Sequence, residues 1–167
     1  MKLKSFYAII ILFLFSTNCK VRYSQTGINI GDAKTFQVNL FENNANLIEP
    51  GIHRDLTLNL QDFILNQTPL QLVKSNGDIF YEGEISEYRI SPTTATSQNT
   101  AAQNRLTVSA KIHFINKIKN KEFDKVFSFF QDYPANSQLT GNLKNEIHQD
   151  ILNRLSQDIV NASLDDW

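Results

Sequence analysis

Residues 105–116 read RLTVSAKIHFIN, and their alternation decides the fold. Leu106, Val108, Ala110, Ile112 and Phe114 point one way; Thr107, Ser109, Lys111 and His113 point the other. Strand side chains alternate with a period of two, so this is a strand with one buried and one wet face. Residues 117–121 (KIKNK) follow as a basic turn. Residues 123–133 form a further strand, with Phe127 and Phe129 on one face and Val126 and Phe130 on the other, so both faces are partly buried until Pro134 stops it. On the N-terminal side, residues 91–104 (SPTTATSQNTAAQN) hold no large apolar residue and no charge. They read as a flexible excursion between two strands, of a length that is usually functional or disordered. Before them, residues 79–90 make a long strand. Ile79, Tyr81, Gly83 and Ile85 share one phase while Tyr88 and Ile90 sit on the other, which predicts a bulge near Ser86 or Glu87.

Two amphipathic helices flank these strands. Across residues 50–67, Ile52, Leu56, Leu60, Phe63 and Ile64 recur at three- and four-residue spacing, with Pro50 in the first turn. Leu56, Leu58 and Leu60 also alternate as a strand would, but the longer spacing runs for four turns and favours a helix that Thr68-Pro69 ends. Across residues 140–164, Leu143, Ile147, Ile151, Leu155 and Ile159 form an i, i+4 stripe widened by Leu152 and Ala162, with Thr140 as N-cap. Residues 35–41 alternate as a half-buried strand, Phe36, Val38 and Leu40 against Gln37 and Asn39, and residues 42–46 break it. Residues 70–74 are a short strand, and Ser75-Asn76-Gly77-Asp78 is a turn in which Asn-Gly supplies positive φ. Two helices, each apolar on one side, must cover one face of a sheet. The expected fold is α+β, a two-layer sandwich: a mixed, mostly antiparallel sheet of four or five strands with two helices on one face. The first strand and the strand after the helix can pair in parallel, which makes the sheet mixed.

The N-terminus reads as an address. Lys2 and Lys4 precede an unbroken apolar run of ten, residues 6–15 (FYAIIILFLF), then Ser16, Thr17, Asn18 and Cys19, the only cysteine. Ten residues fall short of the roughly 20 that span a bilayer as a helix, and suit the h-region of a secretory signal. A signal ending directly before a single cysteine is that of a bacterial lipoprotein, in which the Cys19 thiol takes a diacylglycerol and becomes residue one. Ser16 and Asn18 depart from the usual pattern, an aliphatic residue three before the cysteine and a small one directly before it. The alternative is an ordinary cleaved signal and a free exported thiol. The division is then 1–18 lipoprotein signal peptide, 19–34 lipid-anchored tether and 35–167 folded domain.

Composition bounds the function. The chain holds 16 basic and 17 acidic residues; without Lys2 and Lys4 the mature part has 14 and 17, a net of about −3. A general nucleic-acid binder would need a strongly basic face. There is no Gly-rich phosphate loop, no paired cysteine and no His-Glu-x-x-His. His53, His113 and His148 lie on three elements, on the polar sides of two helices and a strand, and nothing in their spacing makes a metal site or calls for a cofactor. Glu82 and Glu84 share a strand face; they are an acid/base pair for a small hydrolase on one reading and a solvated face on the plainer one. Lys117, Lys119 and Lys121 lie at a hairpin tip, with Lys111 and His113 on the strand entering it and Lys125 on the strand leaving it. Such a cluster either holds anionic groups such as phosphates or sugar acids, or protects a sheet edge with a solubilising turn.

Residues 83–114 (GEISEYRISPTTATSQNTAAQNRLTVSAKIHF) carry a resemblance. Gly-Glu-Ile at 83–85, Tyr88, Ser-Pro at 91–92 and Ala-Ala-x-Asn-Arg-Leu-Thr-Val at 101–108 resemble the LptE family of lipopolysaccharide-assembly lipoproteins, in its Bacteroidetes-type form. Asn43 and Asn44, the Asn-Gly-Asp turn, Trp167, and Tyr23-Ser24 shortly after Cys19 are similar too. The resemblance implies a small sheet with two helices on one side and no catalysis. It also implies a lipoprotein on the periplasmic face of the outer membrane that plugs the lumen of the LptD β-barrel, assists its assembly, and helps deliver lipopolysaccharide, which the family binds through basic residues. The uncharged stretch is then the expected barrel-contacting loop, with Ser91, Pro92, Thr94, Gln98, Asn99 and Asn104. Lys111, Lys117, Lys119, Lys121 and Lys125 are the proposed anion site. The alternative is an accessory subunit of another export or envelope complex.

Overall fold

The computed structural model describes residue 28, residues 30–93 and residues 103–165. The signal, Cys19, the first part of the tether, Thr94, Gln98, Asn99 and Trp167 lie outside the described residues. The chain runs β1 (Thr35–Val38), β2 (Glu42–Asn43), α1 (Ile52–Gln67), β3 (Gln71–Leu72), β4 (Ile79–Thr93), β5 (Gln103–Asn116), β6 (Lys121–Pro134) and α2 (Gly141–Leu164).

β5 is the strand that its alternation predicts: Leu106, Val108, Ala110, Ile112 and Phe114 are all fully buried. It pairs antiparallel with β4 on one side and β6 on the other. β1 pairs parallel with both β4 and β3, and β2 pairs parallel with β4. The order is β3-β1-β4-β5-β6, so the sheet is mixed and has six strands, one more than the upper expectation. The extra one is β2, where residues 42 and 43 carry on pairing past a slip instead of breaking the strand.

Two one-residue irregularities keep the apolar side chains on one face. In β4 the register to β5 shifts between Ile85 and Glu87, the expected bulge at Ser86, so Ile85 and Tyr88 are both buried. Between β1 and β2 the partner of Val38 is Tyr81 but that of Glu42 is Glu84, a slip of one residue. Phe41, not Leu40, therefore enters the core, and Leu40 is 63% exposed. This corrects the simple alternation, since one slipped residue moves every later side chain to the other face. The Phe41 amide is satisfied by Thr57 Oγ1 at 3.1 Å, which explains a buried threonine on α1.

Both helices pack on this face, α1 near β1 to β3 and α2 over β5 and β6. α1 buries Ile52, Leu56, Leu60 and Ile64, one residue per turn. Gly51, at φ 85°, takes the N-cap position in a left-handed conformation that glycine tolerates. Thr68, extended before Pro69, ends the helix. α2 buries Ile147, Ile151, Leu155 and Ile159 as expected, with Leu152, Val160 and Leu164 beside them. Thr140 holds the expected N-cap position, but its side chain makes no capping bond. In the core the Tyr81 hydroxyl lies 2.8 Å from Ser163 Oγ, which donates to Ile159 O at 2.7 Å. Burial pushes the Tyr81 phenol well above its ordinary range.

Gly83 leaves no room for a side chain. A Cβ there would run into the carbonyl oxygen of Lys111 and the Ile112 side chain. Gly83→Ala is expected to cost about 1–3 kcal/mol by overpacking, whereas Ser86→Ala, which loses only a 3.3 Å bond to Ser109 O, should stay near 0.5–1 kcal/mol. Urea unfolding of the two variants checks the order.

Candidate functional site

Among the described residues the helices seal one face of the sheet and leave the other uncovered, and Glu82, Glu84, Lys111 and His113 stand on that uncovered face. Its first half is a shallow cleft of about 540 Å³ lined by Asn39, Leu40, Glu42, Glu82, Gly83, Glu84, Lys111, His113 and Asp124. Cross-strand register builds it: Glu84 lies opposite Lys111 and Glu82 opposite His113 on β5, and His113 opposite Asp124 on β6. His113 Nδ1 is 3.2 Å from Asp124 Oδ1, and Asn44 Nδ2 donates to Glu84 Oε2 at 2.6 Å. Glu82 and Glu84 share a face as expected, in an open and mostly acidic cleft. Among the described residues, no three His, Cys, Asp or Glu groups are placed to hold a metal ion.

Beyond the bulge the same face carries a polar ladder that single-residue reading missed. Glu87 Oε1 accepts from Arg89 Nε at 2.7 Å, and Ser109 Oγ lies 2.9 Å from both Glu87 Oε2 and Ser128 Oγ. Arg105 grips Asp132 with two bonds of 2.7 and 2.8 Å, and its guanidinium sits 3.6 Å from the Phe130 ring centroid. The Arg89 bond, with help from Ser109, holds Glu87 below its ordinary carboxylate range. Bonds from Arg105 do the same for Asp132, and Asp132 in turn raises Arg105. A signal for this ladder existed: the turn sets Asn116 opposite Lys121, and counting back along both strands brings Arg105 to Asp132.

The five lysines do not converge. Lys111 stands exposed on the open face. Lys125 lies opposite Ile112, on the helix side, with Nζ 5.2 Å from the Phe127 ring centroid. Lys121 donates to the Ala162 and Ser163 carbonyls at 3.3 and 3.1 Å, satisfying the C-terminal end of α2. Lys117 and Lys119 remain at the turn, which Asn116 Oδ1 shapes by accepting the amides of Ile118 and Lys119.

The uncharged stretch is shorter than its composition indicates. Ser91 pairs with Arg105, Pro92 with Asn104 and Thr93 with Gln103, so Ser91, Pro92 and Asn104 are strand residues instead of loop. The paired segment of β2 ends opposite Ile85, so among the described residues β4 has an open edge at Pro92, where a missing amide is tolerated. Leu47, Tyr88, Arg89 and Ile90 line a second cleft, of about 310 Å³, along that edge.

His148 is the histidine that sequence reading misplaced. It is half-buried, packing edge-on to Tyr88 with Nε2 3.0 Å from the Tyr88 hydroxyl. Next to it Lys144 Nζ bonds Glu49 Oε1 at 2.8 Å.

Comparison with known proteins gives one family and a common fold. The model of the family described as LptE, lipopolysaccharide-assembly, matches residues 33–163. No curated protein sequence matches. Among solved structures, the hypothetical protein CT253 from Chlamydia trachomatis is 9% identical at a TM-score of 0.53, covering 77% of this chain and 96% of its own. Protein XCC0632 from Xanthomonas campestris is 11% identical at 0.50, covering 78% and 83%. These likenesses are of fold.

Acid should weaken the domain through His148. Burial holds its imidazole below the ordinary value of 6.5, Lys144 adds to this, and Glu49 and Asp55 oppose it. The folded state thus prefers the neutral ring, and that contribution is complete above pH 6.5 and lost as pH falls through the lower folded value. Thermal melts between about pH 7.5 and pH 5 should show Tm dropping in the acidic half. His148→Gln should flatten the drop; an unchanged slope would assign it to other groups. Lys121→Glu should lower Tm at neutral pH, while Lys117→Glu leaves it nearly unchanged.

Proposed function

The chain belongs to the LptE family of lipopolysaccharide-assembly proteins, and from that membership we propose that it is an outer-membrane lipoprotein, held by a lipidated Cys19 on the periplasmic face. In this reading it plugs an LptD-type β-barrel, assists the barrel's assembly, and helps pass lipopolysaccharide to the outer leaflet. The observation that carries the reading is the asymmetry of the sheet. One face is sealed by α1 and α2, and the other is mostly polar, self-paired in its charges past the bulge and uncovered among the described residues. A barrel lumen is itself polar, so the charge-matched half of such a face can enter it with its polar groups satisfied. No catalytic step is assigned: Glu82 and Glu84 stand in an open cleft beside Lys111 and His113.

Residues 94–102 join the paired ends Thr93 and Gln103, so they can be removed without breaking the β4–β5 register. We assign this segment, with Ser91, Pro92 and Asn104 at its base, to the barrel. We assign lipopolysaccharide phosphates to the turn lysines, Lys117 foremost, since Lys121 already serves α2.

A tagged full chain, pulled from detergent-solubilised outer membranes, should bring down a large LptD-like barrel at about one to one. Recovery of a different envelope complex instead would make the chain an accessory subunit of that complex. Replacing residues 94–102 by Asn-Gly should cut barrel recovery severalfold with Tm unchanged; full recovery would remove the loop from the interface. Lys117→Glu with Lys119→Glu should weaken lipopolysaccharide binding by tenfold or more, and unchanged binding would sink the anion site.

A further inference from the structure

Among the described residues, β4 loses its outer partner halfway. β1 and β2 pair with it between Ile79 and Ile85, and from Glu87 to Thr93 it pairs only with β5. Register decides which backbone groups face the vacant side. Tyr81 and Ile85 turn their carbonyls outward, where they accept the amides of Asn39 and Asn44. Alternate residues of a ladder point their groups the same way, so before the bulge odd-numbered residues face outward and even-numbered ones face β5. Odd-numbered residues of β5 face β4 along its whole length. Lys111 and His113 meet Glu84 and Glu82, but past the bulge Ser109, Thr107 and Arg105 meet Glu87, Arg89 and Ser91. There Tyr88, Ile90 and Pro92 face outward instead. Tyr88 and Ile90 each present an amide and a carbonyl, and Pro92 presents a carbonyl alone, which ends the edge. Asn46 and Leu47 stand across the second cleft from it. Ile90 lies opposite Leu106, on the helix side, yet is 41% exposed, and Leu47 is 51% exposed. The groove thus joins unpaired backbone to an apolar wall.

We propose that an extended segment of the barrel partner adds to β4 here as a further strand, over residues 88–92. The inference rests on the barrel reading and deepens it. The chain's own tether does not reach. Ile28 bridges Asp165, and Lys121 at the start of β6 bonds the same end of α2. Asn116 faces both Lys121 and Ile79 across the sheet, so Ile79 marks that end too. Ile90 stands eleven residues further along β4, roughly 36 Å away at 3.3 Å per residue. The nine steps from Ile28 back to Cys19 span at most roughly 32 Å, and in this reading Cys19 stays in the bilayer. The barrel is the nearer source. The edge is continuous with Ser91 and Pro92, assigned above to the barrel, and barrels are built of strands whose longer loops supply extended backbone. In strand addition the main chain gives affinity and alternate side chains give specificity. The fitting segment carries an apolar side chain opposite Ile90, covering it and Leu47, and polar side chains at the flanking positions, beside Glu87 and Arg89.

The test is hydrogen–deuterium exchange of the full chain, alone and in its detergent-extracted barrel complex, resolved to single residues by electron-transfer fragmentation. The Tyr88 and Ile90 amides should slow by tenfold or more in the complex. Those of Arg89 and Ser91, bonded to β5 in both states, should change little. Ile90→Pro deletes an outward amide without touching a β4–β5 bond and should cut barrel recovery severalfold. Ile90→Lys, which leaves the backbone as it is and charges the groove, should do the same. Under ultraviolet light, p-benzoylphenylalanine at position 90 should cross-link to the barrel. An adduct with a second copy or with residues 94–102 would overturn the inference. So would a recovered barrel that leaves Tyr88 and Ile90 exchanging as in the free chain. If the wild type recovers no barrel, the barrel reading itself falls and takes the inference with it.

Discussion

Everything in this fold depends on keeping one sheet face continuously apolar across six strands. A strand turns its side chains over every residue, so any register slip exchanges core and solvent. The chain slips twice and uses both slips. At Ser86 the bulge re-phases β4 so that Tyr88 follows Ile85 into the core. Between Val38 and Glu42 a second slip turns Phe41 inward and Leu40 outward. Each leaves backbone groups off the ladder, and hydroxyls meet them: Thr57 Oγ1 accepts the Phe41 amide, and Ser86 Oγ donates to the Ser109 carbonyl. An amide or carbonyl left bare at such a place would cost on the order of 1–3 kcal/mol.

The other face inherits the polar residues, and the two halves of β4 treat it differently. Past the bulge, charges are matched in place, Glu87 to Arg89 and Arg105 to Asp132. Below it, Glu42, Glu82, Glu84 and Asp124 outnumber Lys111 and His113 around the cleft. A surface that meets a polar lumen needs satisfied groups more than it needs net charge. The matched half sits next to the segment proposed to enter the barrel.

What could be read from the chain was what period alone determines. β5, both helical stripes and the bulge at Ser86 follow from spacing, because burial imposes spacing. Leu40 could not be placed, since a slip in a parallel pair depends on the partner strand and on Thr57 of a helix not yet packed. His148 looked polar because its contact, Tyr88, is 60 residues away. The ends of the long loop were read too wide because Ser91, Pro92 and Asn104 lack the apolar alternation of a strand; they pair through backbone, which composition does not show. The resemblance at residues 101–108 spans the entry to β5, the most buried strand, where the fold leaves least freedom of sequence.

The lysines make the sharpest contrast between charge in sequence and charge in space. Residues 117–121 look like one cationic cluster, but a hairpin turn deals its side chains to different neighbours. Lys121 is spent on the carbonyls that α2 leaves open, tying the last turn of the helix to the start of β6. Lys117 gives its amide to Asp78 O, while Asp78 Oδ2 accepts the amides of Lys34 and Thr35 at 2.9 and 3.0 Å. The turn therefore fastens the entry of β1, the start of β4 and the end of α2 to one another. Positive charge is free to meet a ligand there only where this fastening does not use it. That condition, more than the count of lysines, decides which of them an anionic partner can reach.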